Sequence, residues 1–443
     1  MGTAPRRPAP TTDGGRDALT AQTRFDMQAL LIADIVLFAL FLLCYAYQVV
    51  IYTPVSLLAK KRPHGQTKLH KLAILVAARN EEAVIGQLLD SLEKQDYPRD
   101  LFEVFVVADN CSDRTAEIAE RYGATVFVRN STEQVGKGYA LDFLLSCIDE
   151  ARGKDAFDAF VVFDADNLAK ASFLTEINRT FSDGYEIVTG FRNSKNYGDS
   201  WIAAATGMWF LRVCSTLNRA RSACGVSAEL QGTGFLFSNK VKEENGGWPF
   251  HLLTEDTEFL VHSILAGYTV GYCHEAEFYD EQPTTFRESW RQRLRWAKGG
   301  IQVFKKYYGA LVRGIFSKRF KSCYDFAMCM APAYILSVIG VGVNAVGLVA
   351  ACIMGEGREA ALLILAILGG LYVLLTLACA IVTFAEWRRI RASTWKKLLY
   401  IFTFTPFMFT YIPVAICAMF MNVSWLPTEH KRRESIDDLH EGT

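Results

Sequence analysis

The sequence predicts an α/β domain with a mostly parallel, doubly wound sheet, joined to α-helical segments of membrane length. Short apolar runs alternate with helix-periodic stretches between Leu72 and Phe163. That alternation builds parallel strands with helices packed on the sheet. Other stretches are apolar for long enough to cross a bilayer, which takes roughly 20 residues. Between Lys60 and Lys321 the chain is mixed polar and apolar, as a water-facing domain is.

Residues 1–27, rich in Pro, Gly, Arg and Thr, read as a disordered tail. Residues 28–52 form a membrane span whose one acid, Asp34, lies near its start. A signal peptide is disfavoured because the apolar core is too long and no small-residue cleavage site follows. A domain covering residues 60–320 comes next. Leu72 to Ala78 reads as a buried strand. Glu81 to Lys94 reads as a helix with Val84, Ile85, Leu88, Leu89 and Leu92 on one face. Val104 to Ala108 is a second strand, Asp113 to Tyr122 a helix, Thr125 to Arg129 a third strand and Gly138 to Ile148 a helix. Ala159 to Phe163 is a fourth strand that runs into Asp164. Trp201 to Cys224 reads as an amphipathic helix on the membrane surface, with a buried core helix as the alternative.

Residues 326–421 form a membrane region, and residues 422–443 a tail. Phe326 to Met354 and Ala360 to Ala385 are spans. Leu398 to Met421 is interrupted by Pro406 and Pro413, so it is either a third span or a re-entrant hairpin. Lys60, Lys61 and Arg62, then Arg388, Arg389, Arg391, Lys396 and Lys397, flank these segments. Basic loops stay cytosolic. The central domain is therefore expected in the cytosol of an integral plasma-membrane protein. A basic tail (His430, Lys431, Arg432, Arg433) favours the hairpin.

The 47 basic and 47 acidic residues balance, which argues against a nucleic-acid binder. Among 11 cysteines there is no CxxC pair, and a disulfide framework does not suit a reducing compartment. The histidines lack ligand spacing. No GxGxxG follows the first strand and no GxxxxGK[ST] occurs, so dinucleotide and P-loop sites lack their phosphate cradles.

Polar groups gather at the predicted strand ends, where doubly wound sheets bind ligands: Glu81, Asp109, and the pair Asp164 and Asp166. Two carboxylates one residue apart can hold Mg²⁺ or Mn²⁺ against a diphosphate. Such an ion neutralises the charge that builds on a departing phosphate. Taken alone, the pair is also what a polar strand-to-loop turn looks like. Asp256, beside Glu255 at a predicted helix start, can take a proton from an attacking hydroxyl. An acid at that position also suits the helix dipole. Gln292, Arg293 and Arg295 can bind a diphosphate by charge-assisted hydrogen bonds, and Trp296 offers a flat face for a sugar ring. Arg287, Arg291 and Lys298 suit lipid headgroups.

Taken together, the segments VAARNEE, VVADNCSD, GKG, DAD, QGTG, TED and QRLRW make the chain resemble membrane-integrated family 2 glycosyltransferases, the group that includes cellulose, hyaluronan and poly-N-acetylglucosamine synthases. The resemblance covers about Lys71 to Lys298 and the flanking membrane segments. It implies a GT-A-type, Rossmann-like domain. It places Glu81 on the nucleoside, Asp109 on uracil and Lys137 near the donor, with Asp164 and Asp166 at the metal. Gly232, Thr233, Glu255 and Trp296 fall at the acceptor, Asp256 is the base, and Gln292, Arg293 and Arg295 lie at the donor. Ala108 stands where such enzymes usually have an acid. Trp425 to Thr428 is similar to a hyaluronan-synthase tail motif.

The expected activity is inverting transfer from a UDP-sugar to a growing β-linked polysaccharide, processive and coupled to export. One alternative is a single transfer to a lipid or lipid-linked acceptor. Another is an inactive nucleotide-binding membrane scaffold, which the intact set Asp164, Asp166, Asp256 and Arg295 opposes.

Overall fold

The computed structural model describes residues 13–59, 65–330, 332–424, 430 and 432–441. The tail motif expected at Trp425 to Thr428 lies outside them. In chain order the elements used below are α1 (Asp13–Tyr47), β1 (Leu72–Ala78), β2 (Phe102–Asp109), β3 (Thr125–Arg129), α2 (Lys137–Arg152), β4 (Ala159–Asp164), β5 (Leu168–Ala169), β6 (Ile187–Ser194), α3 (Trp201–Arg212), β7 (Phe235–Ser238), α4 (Glu255–Ala266), β8 (Val270–Asp280), α5 (Phe286–Gly314), α6 (Pro332–Met354), α7 (Gly357–Ala385), α8 (Thr394–Phe409), α9 (Tyr411–Phe420) and α10 (Ile436–Glu441).

The chain divides into two units. Residues 1–45 and 332–374 form one, and residues 46–331 and 375–443 the other. In the smaller unit α1 is helical from Asp13, inside the stretch expected to be a disordered tail. Asn344 Nδ2 donates to Asp34 Oδ1 at 2.8 Å, which supplies a partner to the acid in the first span. Gly347 lets α6 approach closely, since a Cβ there would sit 2.6 Å from Leu30 Cδ1. Small residues at helix contacts serve this purpose in membranes.

The larger unit contains, among the described residues, an eight-stranded sheet in the order β3-β2-β1-β4-β7-β6-β8-β5. β3, β2, β1 and β4 are parallel, as the sequence predicts. The rest is mixed. β7 runs antiparallel to both β4 and β6, and β5 runs antiparallel to β8. The antiparallel insertion turns the second half of the sheet away from a simple doubly wound order. Alternate residues of β1 serve opposite faces, as strand geometry requires. Ala73 and Leu75 join one apolar cluster, and Leu72, Ile74, Val76 and Ala78 the other.

α3 corrects the surface-helix expectation, because Ile202 to Met208 and Phe210 to Leu211 are all buried. Its continuation carries Arg221, which is fully buried between Asp325 Oδ2 and Glu229 Oε2, each at 2.8 Å. The basic cluster at the end of this segment thus closes an internal polar network rather than facing lipid.

Four helical segments among the described residues are long and apolar enough to cross a membrane: Gln28–Leu58, Phe320–Met354, Gly357–Ala385 and Thr394–Phe420. The last breaks at Thr410, between α8 and α9. Pro413, in the first turn of α9, has no N–H to bond back into α8, which explains the break. α8 leaves from the sheet side, where Lys396 Nζ donates to Gly198 O at 2.7 Å. α9 packs Val414 and Ala418 against Leu294 and Ala297 of α5. By His430 the chain is back at the sheet.

Candidate active site

Three strand ends supply the first groups. The turns after β1 and β2 each hold an asparagine with positive φ, Asn80 at 57° and Asn110 at 53°. Asn tolerates this left-handed region better than most residues. These turns present Glu81 and Asp109. Asp109 is buried and accepts from Arg129 Nη1 at 2.6 Å. Asp164 ends β4, and its backbone N–H donates to Thr233 Oγ1 at 2.9 Å. That bond, with the Thr233 hydroxyl on Asn167 Oδ1, fastens the Asp164–Asp166 turn to the Gln231–Gly234 segment.

Lys137 sits at the start of α2 and binds two of the expected partners. Its Nζ donates to Asp164 Oδ1 at 2.5 Å and to Gly232 O at 2.6 Å. Burial opposes its charge, but Asp164 and Glu255 outweigh that and hold its pKa above the usual lysine range. Gly138 allows the close packing here, since a Cβ would run into the carbonyl of Phe250.

Glu255 and Asp256 lie in the first turn of α4, next to this cluster. Gly232 has φ +83°, and a Cβ on it would lie 3.7 Å from Asp256 Oδ2. Burial pushes the Glu255 carboxyl up to about 7, against the pull of Lys137. Burial raises Asp256 too, with the Thr257 N–H, Lys137 and Arg295 opposing. A raised carboxylate is a stronger base than an exposed one.

Arg295 Nη1 donates to Leu253 O at 3.2 Å, and its charge acts on both Glu255 and Asp256. Trp296 meets Phe210 edge-on with centroids 5.8 Å apart. Phe210 in turn covers the Arg192 guanidinium at 3.7 Å. Gln292 is half-buried with its Oε1 unpartnered. Arg293 departs from expectation. It is fully buried on the opposite side of α5, where Nη1 donates to Thr410 Oγ1 at 2.5 Å. It contacts the α8–α9 junction instead of a donor diphosphate.

Asp166 is buried. Its Oδ1 accepts from Asn167 Nδ2 at 3.2 Å and its Oδ2 from the Glu281 N–H at 3.0 Å. Burial works against its charge, but His430, Lys195 and the Glu281 N–H lower its pKa below the usual range. His430 is a group sequence reasoning missed. Its Nδ1 lies 3.1 Å from both Glu81 oxygens, and its Nε2 lies 3.9 Å from Asp166 Oδ2. Burial opposes its protonation, yet Asp166 and Glu81 raise its pKa to about 10. Arg192 and Lys195 were missed as well. Arg192 pairs with Asp280 and donates to Gln231 O at 2.5 Å. Lys195 is buried near Asp166 and Glu281. Both follow from basic residues at the end of β6, a signal visible only once that strand is placed.

No group of three or more His, Cys, Asp or Glu among the described residues is arranged to hold a metal ion by itself. The side chains still fit Mg²⁺ or Mn²⁺. Such ions are bound through one or two carboxylates together with substrate phosphates, not by all-protein cages. Asp164 and Asp166 supply that number of carboxylates, and a lysine ammonium already rests on Asp164 as a cation would.

The sheet, parallel in one half and mixed in the other with helices packed on it, is of the GT-A type. The chain belongs to the glycosyltransferase-like family 2, whose model matches residues 70–299. It is 28% identical over 288 residues to the β-monoglucosyldiacylglycerol synthase of Trichormus variabilis, covering 62% of this chain and 58% of that protein. It is 23% identical over 259 residues to a poly-β-1,6-N-acetyl-D-glucosamine synthase of Staphylococcus epidermidis, covering 58% of this chain and 60% of that one. The match thus spans less than two thirds of either relative. In fold it is similar to the mannosyltransferase PcManGT of Pyrobaculum calidifontis, solved in complex with GDP-Man and Mn²⁺. The TM-score is 0.58 at 19% identity, covering 88% of this chain and 99% of that one.

Proposed function

We propose that this chain transfers one sugar, with inversion, from a UDP-sugar to the hydroxyl of a lipid or lipid-linked acceptor at the cytosolic face of the membrane. The observation that carries the transferase reading is the convergence of Lys137, Asp164, Gly232, Glu255 and Asp256 on one spot. Glu81 and Asp109 face the nucleoside. Lys137 and Arg295 hold the diphosphate by charge-assisted hydrogen bonds. A divalent ion at Asp164 and Asp166, when bound, neutralises the charge on the leaving diphosphate. Asp256 accepts the proton of the acceptor hydroxyl. That oxygen attacks the anomeric carbon as the bond to phosphate breaks, and the nucleoside diphosphate leaves. Gly232, Thr233 and the Trp296 ring line the acceptor side.

The lipid reading is favoured over processive synthesis with export by the course of residues 394–430. The segment leaves from the catalytic unit and returns to it, which supports a hairpin and leaves three spans to cross the bilayer. Three helices are few for a polysaccharide channel. The glycolipid product in the name of the T. variabilis relative agrees. Polysaccharide synthesis remains the second reading, carried by the QRLRW segment and by the S. epidermidis relative.

The test is a panel of UDP- and GDP-sugars with Mn²⁺ or Mg²⁺ on the purified chain in nanodiscs, with and without diacylglycerol. A single-sugar lipid product from one donor supports the proposal. A long product without added lipid overturns the acceptor assignment. No nucleotide release from any donor overturns the transferase reading.

A further inference from the structure

Arg293 is the most conspicuous charged group that the chemistry above does not use. Its side chain is fully buried, and no ion pair to a carboxylate is among its contacts within the described residues. Nη1 donates to Thr410 Oγ1 at 2.5 Å and Nε to Ser289 O at 3.3 Å, while Nη2 has no partner. The guanidinium lies 4.3 Å from the ring centroid of Phe407, 4.9 Å from Tyr411 and 5.8 Å from Phe286. Phe407, Thr410 and Tyr411 bracket the break between α8 and α9. A planar guanidinium between rings, with one hydroxyl at its edge, is held in direction as well as position.

Arg293 and Arg295 lie on one helix, two residues apart. At 3.6 residues per turn they project about 200° from one another. While Arg293 grips the α8–α9 junction, Arg295 reaches the Leu253 carbonyl and the Glu255–Asp256 pair. Two further contacts fix the rotation of α5. A Cβ on Gly299 would lie 2.5 Å from Thr254 Cγ2, so the helix abuts the residue just before Glu255. Lys298 Nζ donates to Ala418 O of α9 at 3.2 Å.

We infer that Arg293 is a positioning residue: held by Thr410, Phe407 and Tyr411 at the break in the apolar hairpin, it sets the rotation of α5 and thereby places Arg295 on the donor diphosphate. The inference rests on the transferase reading and adds a specific role for the α8–α9 junction. It ties the catalytic helix to an element that the soluble domain does not contain. Loss of this grip displaces Arg295 but leaves the nucleoside contacts of Glu81 and Asp109 in place.

The experiment compares wild type with Arg293→Met, Arg293→Lys, Thr410→Val and Thr410→Ser, each full length in nanodiscs with Mn²⁺. Affinity is measured for UDP and for GDP, whichever wild type binds more tightly, and for the matching nucleoside. Thr410→Val and Arg293→Met are expected to weaken diphosphate binding roughly tenfold to a hundredfold, the weight of one charge-assisted hydrogen bond. Nucleoside affinity stays the same, and Thr410→Ser restores the wild-type value. Arg293→Lys keeps the charge but not the plane, and is expected to recover only part. Unchanged diphosphate affinity in Thr410→Val overturns the inference. So does an equal loss of nucleoside and diphosphate affinity, which marks general unfolding. If Arg293→Met does not fold, the threonine pair carries the test. Binding is read without turnover, so an inactive wild type counts against the proposed function and not against this role.

Discussion

Under the proposed function, Asp256 is the residue on which turnover depends. Asp256→Asn keeps the side chain's shape and removes the base. It is expected to lower kcat by roughly 10²- to 10⁴-fold, with nucleotide affinity, measured by calorimetry, unchanged. The pH profile follows from the same site. A base must be ionised, and burial raises both carboxyls of the pair, Glu255 to about 7. Activity should therefore rise with pH, with its acid limb above the ordinary carboxylate range. A kcat/KM profile that is already flat at pH 5 would exclude this environment. Most of these residues were legible in the sequence because their chemistry sits in short segments: Lys137 between two glycines, Asp164 and Asp166 after an apolar run, Glu255 and Asp256 before a helix. His430 was not, because nothing local to it marks a ligand. Its role comes from a fold that carries it back some 350 residues to Glu81. Arg293 does not share a face of α5 with Arg295, and adjacency in QRLRW does not say which way a helix turns.

Among the elements, the parallel half of the sheet could be read strand by strand, since β1 to β4 are continuous apolar runs with helices between them. The antiparallel half could not. β7 is only Phe235 to Ser238, and β5 only Leu168 and Ala169, too short to show a period. The surface reading of α3 fails because a helix that is apolar almost all round is buried, although its later arginines point to lipid. The contact of α5 with α4 gives a sharp prediction. Gly299→Ala puts a methyl 2.5 Å from Thr254 Cγ2 and 2.9 Å from its backbone nitrogen. The start of α4 must then shift, and a shift of about 1 Å at a catalytic group costs on the order of a hundredfold in rate. Steady-state kinetics beside a melting curve would separate this from unfolding. The buried Arg221 network makes a second. Asp325→Ala leaves the fully buried Arg221 with Glu229 as its one remaining carboxylate among the described residues. Breaking one side of such a pair costs about 3–5 kcal/mol. The melting temperature should fall, and adding Arg221→Met should recover much of the loss. A variant as stable as wild type would show that the pair adds little.

For the whole molecule, the membrane segments were visible from apolar length alone, and the choice between span and hairpin for residues 394–420 was not. Composition does not record where a chain goes next. The proposed arrangement places the α6–α7 link outside the cell, and α10 inside with the sheet. In a background with the other cysteines changed to serine, Cys352 should react with an impermeant maleimide in intact cells. A cysteine at Asp437, which pairs with Lys94, should react only after permeabilisation. Labelling of both in intact cells would mean that the hairpin crosses.

His430 touches Glu81 and Asp166, and Ile436 beyond it is buried against Leu168 and Tyr279. These contacts to the proposed donor site are therefore made downstream of all four membrane-length helical segments among the described residues. A ribosome can complete the sheet without completing the site. On the proposed topology, the site gains its last contacts only after those helices have been synthesised and the chain has come back to the sheet. Under the proposed function, a polypeptide stalled before His430 lacks these contacts, so the geometry of the tail makes a complete site contingent on prior synthesis of the membrane-length helices.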